Sequence, residues 1–310
     1  MAQSTASSSR SAGYALALVC VLGTFWGLAF SLSKVAANAG VPPLGYAWWQ
    51  SLGSGLVLLV IAMVRRQVPP TDGRHLRYFL FMGAFGLGIP NALLYVVIAQ
   101  IPVGLVSAIT NMVPLYTYII SLALLLDRFA LSRAAGVLIG LAGAVILVLP
   151  GAGTPEPWMT GWLLLAMIGP VCYAVSVVGG TRWRPKETPS MSLAIGMLIG
   201  AGLLIAPVVI GTGSVYLPNP MALTIADAAI TGQLVITCIM FNIYFSLLRF
   251  ATPLVVSLVG YLVTVSGIGW GMLLFGEQHS PWLFGAVILI FGGLALVNYT
   301  PRGKPASAAP

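Results

Sequence analysis

Long apolar runs follow one another along almost the whole chain, and short connections between them hold nearly all the charge. A membrane-crossing helix needs about 20 predominantly apolar residues. Inside hydrocarbon every backbone N–H and C=O must be paired within its own segment, so helix is the form that such runs take there. The runs read as spans at 14–33, 46–64, 77–98, 103–126, 134–150, 160–180, 191–211, 224–248, 253–275 and 282–299. Only 6% of the residues are charged and 59% are hydrophobic. A soluble domain carries about 25% charged residues, so a soluble fold is excluded. The third-to-fourth and eighth-to-ninth joins are tight and carry Pro102 and Pro253. Proline suits a helix start because its missing N–H would have no intrahelical partner there.

The net charge of +8 would in a soluble chain suggest a polyanionic partner. Here its placement gives orientation instead. Arg10, Arg65, Arg66, Arg74, Arg77, Arg128, Arg133, Arg182, Arg184, Lys186, Arg249, Arg302 and Lys304 fall in connections on one side, which is 13 of the 14 cations. Only Lys34 falls on the other. The positive-inside rule puts the cation-rich side, with both termini, in the cytoplasm, and nucleic acid is not expected as a partner. Arg10, an apolar stretch and Ala37-Asn38-Ala39 imitate a secretory signal. The stretch is too long for an ordinary signal core, so the first span is expected to stay. Residues 1–12 and 301–310 read as cytoplasmic tails rich in Ser, Ala and Pro and are expected to be disordered. Cys20, Cys172 and Cys238 each lie inside an apolar run and form no metal or disulfide pattern. The tryptophans near span ends, Trp48, Trp49, Trp158, Trp162, Trp183 and Trp282, read as interfacial anchors.

The two halves superpose in sequence. Ile101-Pro102-Val103 answers Thr252-Pro253-Leu254, and Asp127 answers Glu277 at the ends of the fourth and ninth spans. Gly136 and Gly143 answer Gly285 and Gly292. Five spans per half is an odd number, so the second half threads the bilayer in the opposite sense. The expected fold is an all-α polytopic membrane protein of ten transmembrane helices, arranged as two inverted five-helix repeats over 13–150 and 151–300. Inverted repeats provide two exchangeable conformations around a site at the repeat interface.

Trp26-Gly27, the Pro102 and Pro253 helix starts, the acidic ends Leu-Leu-Asp127 and Phe-Gly-Glu277, and the glycine-rich fifth and tenth spans together resemble the drug/metabolite transporter superfamily. The resemblance runs from about 14 to 299 and points to the ten-helix branch with two EamA-type repeats, in particular to bacterial exporters of aromatic amino acids. It implies an inner-membrane transporter that takes a small-molecule substrate. That family often has an arginine in the second span, where this chain has Gln50, and its first repeat usually ends in Gly-Glu rather than Asp127-Arg128.

Polar groups inside a bilayer are costly unless they face a partner or a cavity. Ser107, Asn111, Pro114 and Tyr118 make one stripe on the fourth span, copied in the ninth as Ser257, Tyr261, Thr264 and Ile268. Asn91 shares a face with Tyr95 in the third span; its copy Asn242 shares one with Ser246 in the eighth. These spans are expected to line a central pathway, with Trp26, Tyr173 and Ser176 of the first and sixth spans closing it. Helix-to-helix adhesion is the alternative for any one of these residues. Gly136-xxx-Gly140 and Gly196-xxx-Gly200 are small-residue packing faces, within the bundle or, for a weak homodimer of an otherwise monomeric protein, between copies.

None of the six acidic residues lies mid-span, and no GxxxxGK[ST] phosphate loop occurs. Neither ATP nor a cofactor is expected, and proton coupling is not favoured. A pathway of amides, hydroxyls and aromatic rings suits neutral or zwitterionic metabolites such as neutral and aromatic amino acids. Broad drug efflux and a passive solute channel stay open as alternatives. The spans hold no Ser/His pair, His/Glu metal set or paired carboxylates, so the chain is not read as an enzyme.

Overall fold

The computed structural model describes the backbone of residues 2–148, 156–185, 187–218, 223–250 and 253–298. A number of side chains at helix ends, Ser246 and Ser257 among them, lie outside the description, as does the tail at 301–310. All regular structure among the described residues is helical. The first span is α1 (Ala2–Asn38). The second is α2 (Pro43–Trp48), a π-helical turn at Trp49–Gly53 and α3 (Ser54–Val64). The third is α4 (Gly73–Gly83), a second π turn at Ala84–Gly88 and α5 (Ile89–Ile98). The fourth breaks into α6 (Val103–Thr110) and α7 (Val113–Ala123), and the fifth is α8 (Leu131–Val148). In the second half α9 (Thr160–Ala166) and α10 (Ile168–Trp183) form the sixth span. Then follow α11 (Ser190–Gly211), α12 (Ile225–Phe250), α13 (Pro253–Phe275) and α14 (Pro281–Asn298).

Among the described residues eight spans are long and apolar enough to cross a bilayer, and the apolar parts of α8 and α14, Leu131–Ile146 and Pro281–Val297, are shorter. Ten spans in two inverted sets of five therefore stand. The helix of the first span extends back to Ala2, through the segment expected to be an unstructured tail. A helix already nucleated by an apolar span propagates into Ala, Ser and Gln residues at little further cost.

Local sequence explains the breaks. Pro43, Pro253 and Pro281 each open a helix at its first position. Pro114 lies mid-span; it has no N–H for the Thr110 carbonyl, and the fourth span divides at residues 111 and 112. Its copy in the ninth span is Thr264, and α13 runs unbroken. Asp227 is a buried acid in the first turn of α12. It caps the start of α12, accepting from Thr224 N at 2.9 Å and Thr224 Oγ1 at 2.7 Å.

Glycines decide which helices can touch. The two short spans α8 and α14 lie against each other, and a Cβ at Gly136, Gly143 or Gly293 would meet the partner helix's backbone. The third and seventh spans cross where Gly196 and Gly200 admit Phe79. Both small-residue faces are thus used within the chain. Gly23 and Gly27 bring α1 onto α13, joined by Ser266 Oγ donating to Gly23 O at 2.8 Å and Trp270 Nε1 to Thr24 O at 3.1 Å.

The ends of the bundle sort by charge. His75 Nε2 lies 2.6 Å from Thr188 Oγ1, which joins two cation-bearing connections at one end. Lys34 meets the connections after the third and ninth spans at the other. These are called below the arginine-rich end and the Lys34 end.

Candidate functional site

The first group of buried polar residues sits where the second, third and sixth spans meet. The π turn widens the second span at Gln50, a distortion that concentrates at functional sites. Gln50 Oε1 accepts from Asn91 Nδ2 at 2.8 Å and from Tyr95 Oη at 2.7 Å. Asn91 Oδ1 in turn accepts a short hydrogen bond from Tyr173 Oη of α10, so the network crosses from one repeat to the other. The Tyr46 ring packs edge-on to Tyr95 with centroids 5.1 Å apart. Tyr46 Oη donates to Gln233 Oε1 of α12 at 3.1 Å, and Gln233 Nε2 donates to Thr237 Oγ1 at 3.3 Å. Gln50, Asn91, Tyr95, Gln233 and Thr237 are all buried. A buried network of this kind is stabilising only when its members are paired, and then it fixes one arrangement of the helices.

The second group lies where α6 crosses α13. Thr264 Oγ1 donates to Ser107 O at 3.1 Å, Ser107 presses on Gly267, and Asn111 Oδ1 faces Gly260. The predicted stripes of the fourth and ninth spans therefore meet face to face over this stretch. Ser107 Oγ and Asn111 Nδ2 are buried there without a protein partner. Beyond the break α7 leaves this line and packs on α10.

Other expected pathway residues sit elsewhere. Trp26 stacks on Tyr244 and Phe241 of α12, with centroids 5.3 and 6.2 Å away. Tyr118 Oη accepts from Ala130 N at 3.1 Å, and its ring lies 5.7 Å from the Arg133 guanidinium, so it anchors the loop after α7. Tyr261 packs edge-on against Phe291 of α14 at 4.6 Å. Ser176 Oγ donates to Tyr173 O of its own helix at 2.8 Å, and Pro114 is half-buried at the break. Asn242, the copy of Asn91, is exposed and donates to Cys238 O one turn back at 2.8 Å.

The third group lies at the Lys34 end. Gly276, with φ of +62°, turns the chain sharply after α13 and presents Glu277 to the start of α6. Glu277 Oε1 accepts from Lys34 Nζ at 3.1 Å and Val103 N at 2.7 Å, while Oε2 accepts from Gly104 N at 3.2 Å. Lys34 Nζ also donates to Ile101 O at 3.1 Å and lies 5.3 Å from the Phe275 ring centre. His279 Nε2 stands 3.3 Å from Glu277 Oε2. Burial pushes the Glu277 carboxyl upward, but His279, the Val103 and Gly104 amides and Lys34 outweigh it and hold it at about 2. One carboxylate thus ties the first, fourth and ninth spans together.

Sequence reasoning missed Gln50 as a buried shared acceptor, Tyr46, Gln233 and the Lys34 cluster. Tyr46 and Gln50, like Gln233 and Thr237, are spaced i, i+4 on otherwise apolar helices, which was a readable signal.

A family model for EamA-like transporters matches residues 13–149 and again 160–299. The chain belongs to the EamA-like transporter family. Two matches to one model, one in each half, are what a duplicated five-helix unit gives. The chain is 27% identical over 297 residues to the uncharacterized inner membrane transporter YedA of Escherichia coli K12, covering 91% of each. It is 25% identical to protein PecM of Dickeya dadantii over 277 residues, 88% of each. It is 23% identical over 294 residues, 92% of each chain, to the S-adenosylmethionine/S-adenosylhomocysteine transporter of Chlamydia muridarum. A crystal structure at 20% identity superposes with a TM-score of 0.59 over 92% of this chain and 96% of its own, and shares the fold. This EamA-like transporter is an integral membrane protein.

Proposed function

We propose that this EamA-like transporter exports small neutral or zwitterionic metabolites, with neutral and aromatic amino acids foremost, across a bacterial inner membrane. It works by alternating access, without ATP, a cofactor or an obligatory proton. The arginine-rich end faces the cytoplasm with both termini, and the arrangement described is closed at the outer, Lys34 end. The protein acts as a monomer, its glycine faces being occupied internally.

The observation that supports this reading is the unequal treatment of equivalent residues. Asn91 is buried in a network across repeats, whereas its copy Asn242 is exposed and bonded to its own helix. Glu277 is 6% exposed and clamps three spans, whereas its copy Asp127 is 36% exposed and bonded to Arg133. Two halves built alike hold different conformations, and exchanging them opens one end while closing the other. Amides, hydroxyls and the carbonyl freed at Thr110 suit a ligand with both an ammonium and a carboxylate.

The test is uptake of labelled amino acids and lipophilic cations into proteoliposomes, with and without an imposed pH gradient. Saturable phenylalanine or tryptophan flux that ignores the gradient is expected. Flux that stops when the gradient is removed, or that does not saturate as a channel's would not, overturns the mechanism. The S-adenosyl substrate named for the relative from Chlamydia muridarum makes S-adenosylmethionine a necessary member of the panel.

A further inference from the structure

We propose that Lys34, the Val103 and Gly104 amides and His279 form a carboxylate-binding site, which Glu277 fills as an internal stand-in while a substrate carboxylate displaces it to open this end. The inference rests on the transporter reading and names the substrate group that the gate senses.

The geometry is that of a receptor for a carboxylate rather than of an incidental ion pair. Both oxygens are engaged: Oε1 by an ammonium and an amide, Oε2 by a second amide. The amides belong to the first turn of α6, where N–H groups have no intrahelical acceptor and the helix dipole favours an anion. His279 completes the ring. Its side chain is 4% exposed, and its Nε2 is buried without a hydrogen-bond partner, though it stands 3.3 Å from Oε2. An imidazole nitrogen this near the carboxylate, buried and out of line for a hydrogen bond to it, marks a place that a carboxylate can fill better than Glu277 does. Gly104 is part of the design, since a Cβ there would meet His279 Nε2 at 2.7 Å.

Displacement is physically reasonable because nothing need be left bare. Removing one partner from a buried ion pair is severely destabilising, as it strands the other charge. An incoming carboxylate takes over Lys34 and both amides, and the released Glu277 turns toward water or the substrate's own ammonium. A ligand without a carboxylate offers no such exchange, so it cannot shift the gate by this route. The charged and titratable groups around the carboxylate are Lys34 from α1 and His279 from the connection to α14; α6 and the turn before it contribute backbone only.

The experiment uses the full chain in nanodiscs, with its three cysteines replaced and spin labels at Ala37→Cys and Ser280→Cys across this end. Distances are recorded with L-phenylalanine, 3-phenylpropionate and phenethylamine as probes. The expected result is that the two carboxylates populate a longer distance and the amine does not. Glu277→Gln populates it without any ligand and binds 3-phenylpropionate at least tenfold tighter. Lys34→Met abolishes the preference for carboxylates. Equal responses to acid and amine, no response to either acid, or unchanged binding in Glu277→Gln overturns the proposal. Phenylalanine flux through the unsubstituted protein is measured beside it, so that loss of the transport reading shows as absent flux whatever the labels report.

Discussion

Replacing Gln50 with leucine keeps the side chain's approximate volume and removes the acceptor that Asn91 and Tyr95 share. Both donors stay buried, at 5% and 3% exposure, with bonds of 2.8 and 2.7 Å lost. An unpaired buried donor costs about 1–3 kcal/mol in soluble proteins. Within bilayers interhelical bonds average about 0.6 kcal/mol and reach about 1.7. Two such losses on the membrane scale give about 1–3 kcal/mol, so the expected destabilisation of Gln50→Leu is about 2 kcal/mol. That is about a 30-fold change in an equilibrium constant. Unfolding free energy measured by steric trapping in bicelles reads it directly. Pairing the change with Asn91→Leu separates a network from two independent contacts. The double variant removes both members of one bond and is expected to cost at least about 1 kcal/mol less than the sum of the singles. A Gln50→Leu protein within about 0.5 kcal/mol of the parent, or strict additivity in the cycle, refutes the claim that this cluster holds the helices in register.

Asn242→Leu is expected to leave stability within about 0.5 kcal/mol, since the side chain bonds only within its own turn, but to lower phenylalanine export severalfold; unchanged export from a correctly inserted protein removes it from the pathway. Gly136→Leu places a side chain against the backbone of α14 and is expected to destabilise by at least about 1–3 kcal/mol in thermal unfolding, whereas Gly161→Leu, with open space around it, is expected to be neutral. The pH response of the Lys34 end follows from Glu277, whose folded value of about 2 lies below the usual carboxylate range. Its contribution is therefore complete above about pH 4.3 and is lost as pH falls toward 2. Spin-label distances across this end should thus be flat between pH 5.5 and 8 as regards Glu277, and a Glu277→Gln protein should lose any further opening on acidification to about pH 3.

The spans, the repeat and the partition of charge were legible because each rests on a long-range regularity of the chain. A bilayer tolerates only paired backbone, and a duplicated unit repeats the Pro102 helix start and the Asp127 acid at nearly the same spacing, as Pro253 and Glu277. The site was only partly legible. Asn91 and Tyr95 were readable as one face and Tyr173 only as a residue of the sixth span near the pathway, while Ser107 and Thr264 were readable as members of copied stripes. Tyr118 and Tyr261 carry the same periodicity yet serve a loop and a neighbouring helix, because periodicity names a face of a helix and not what lies opposite. Lys34 looked like a stray cation, since its partners are 67 and 243 residues away. The π turns at Trp49–Gly53 and Ala84–Gly88 alter which face Gln50 and Asn91 present, and a period of 3.6 residues does not anticipate them.

Under the alternating-access mechanism proposed above, the departures from repeat symmetry give this transporter a preferred end to close. A perfect duplication would hold its two arrangements at equal energy, and either end would be shut half of the time. Here the copy of Glu277 is one methylene shorter, Asp127, and it accepts from Arg128 N and Arg133 rather than clasping a helix start. The copy of Thr264 is Pro114, so the bond that Thr264 makes to Ser107 O has no counterpart donor in the fourth span. Each difference strengthens the Lys34 end, by a longer acid, an added ammonium and one more hydroxyl. The bias is tunable by the same residues: Asp127→Glu restores reach to one copy, and Pro114→Thr restores a donor. Those changes are expected to move the two arrangements toward equal population, with the distance across the Lys34 end broadening into two peaks. A single unshifted peak in the doubly substituted protein would mean that the preference resides elsewhere in the bundle.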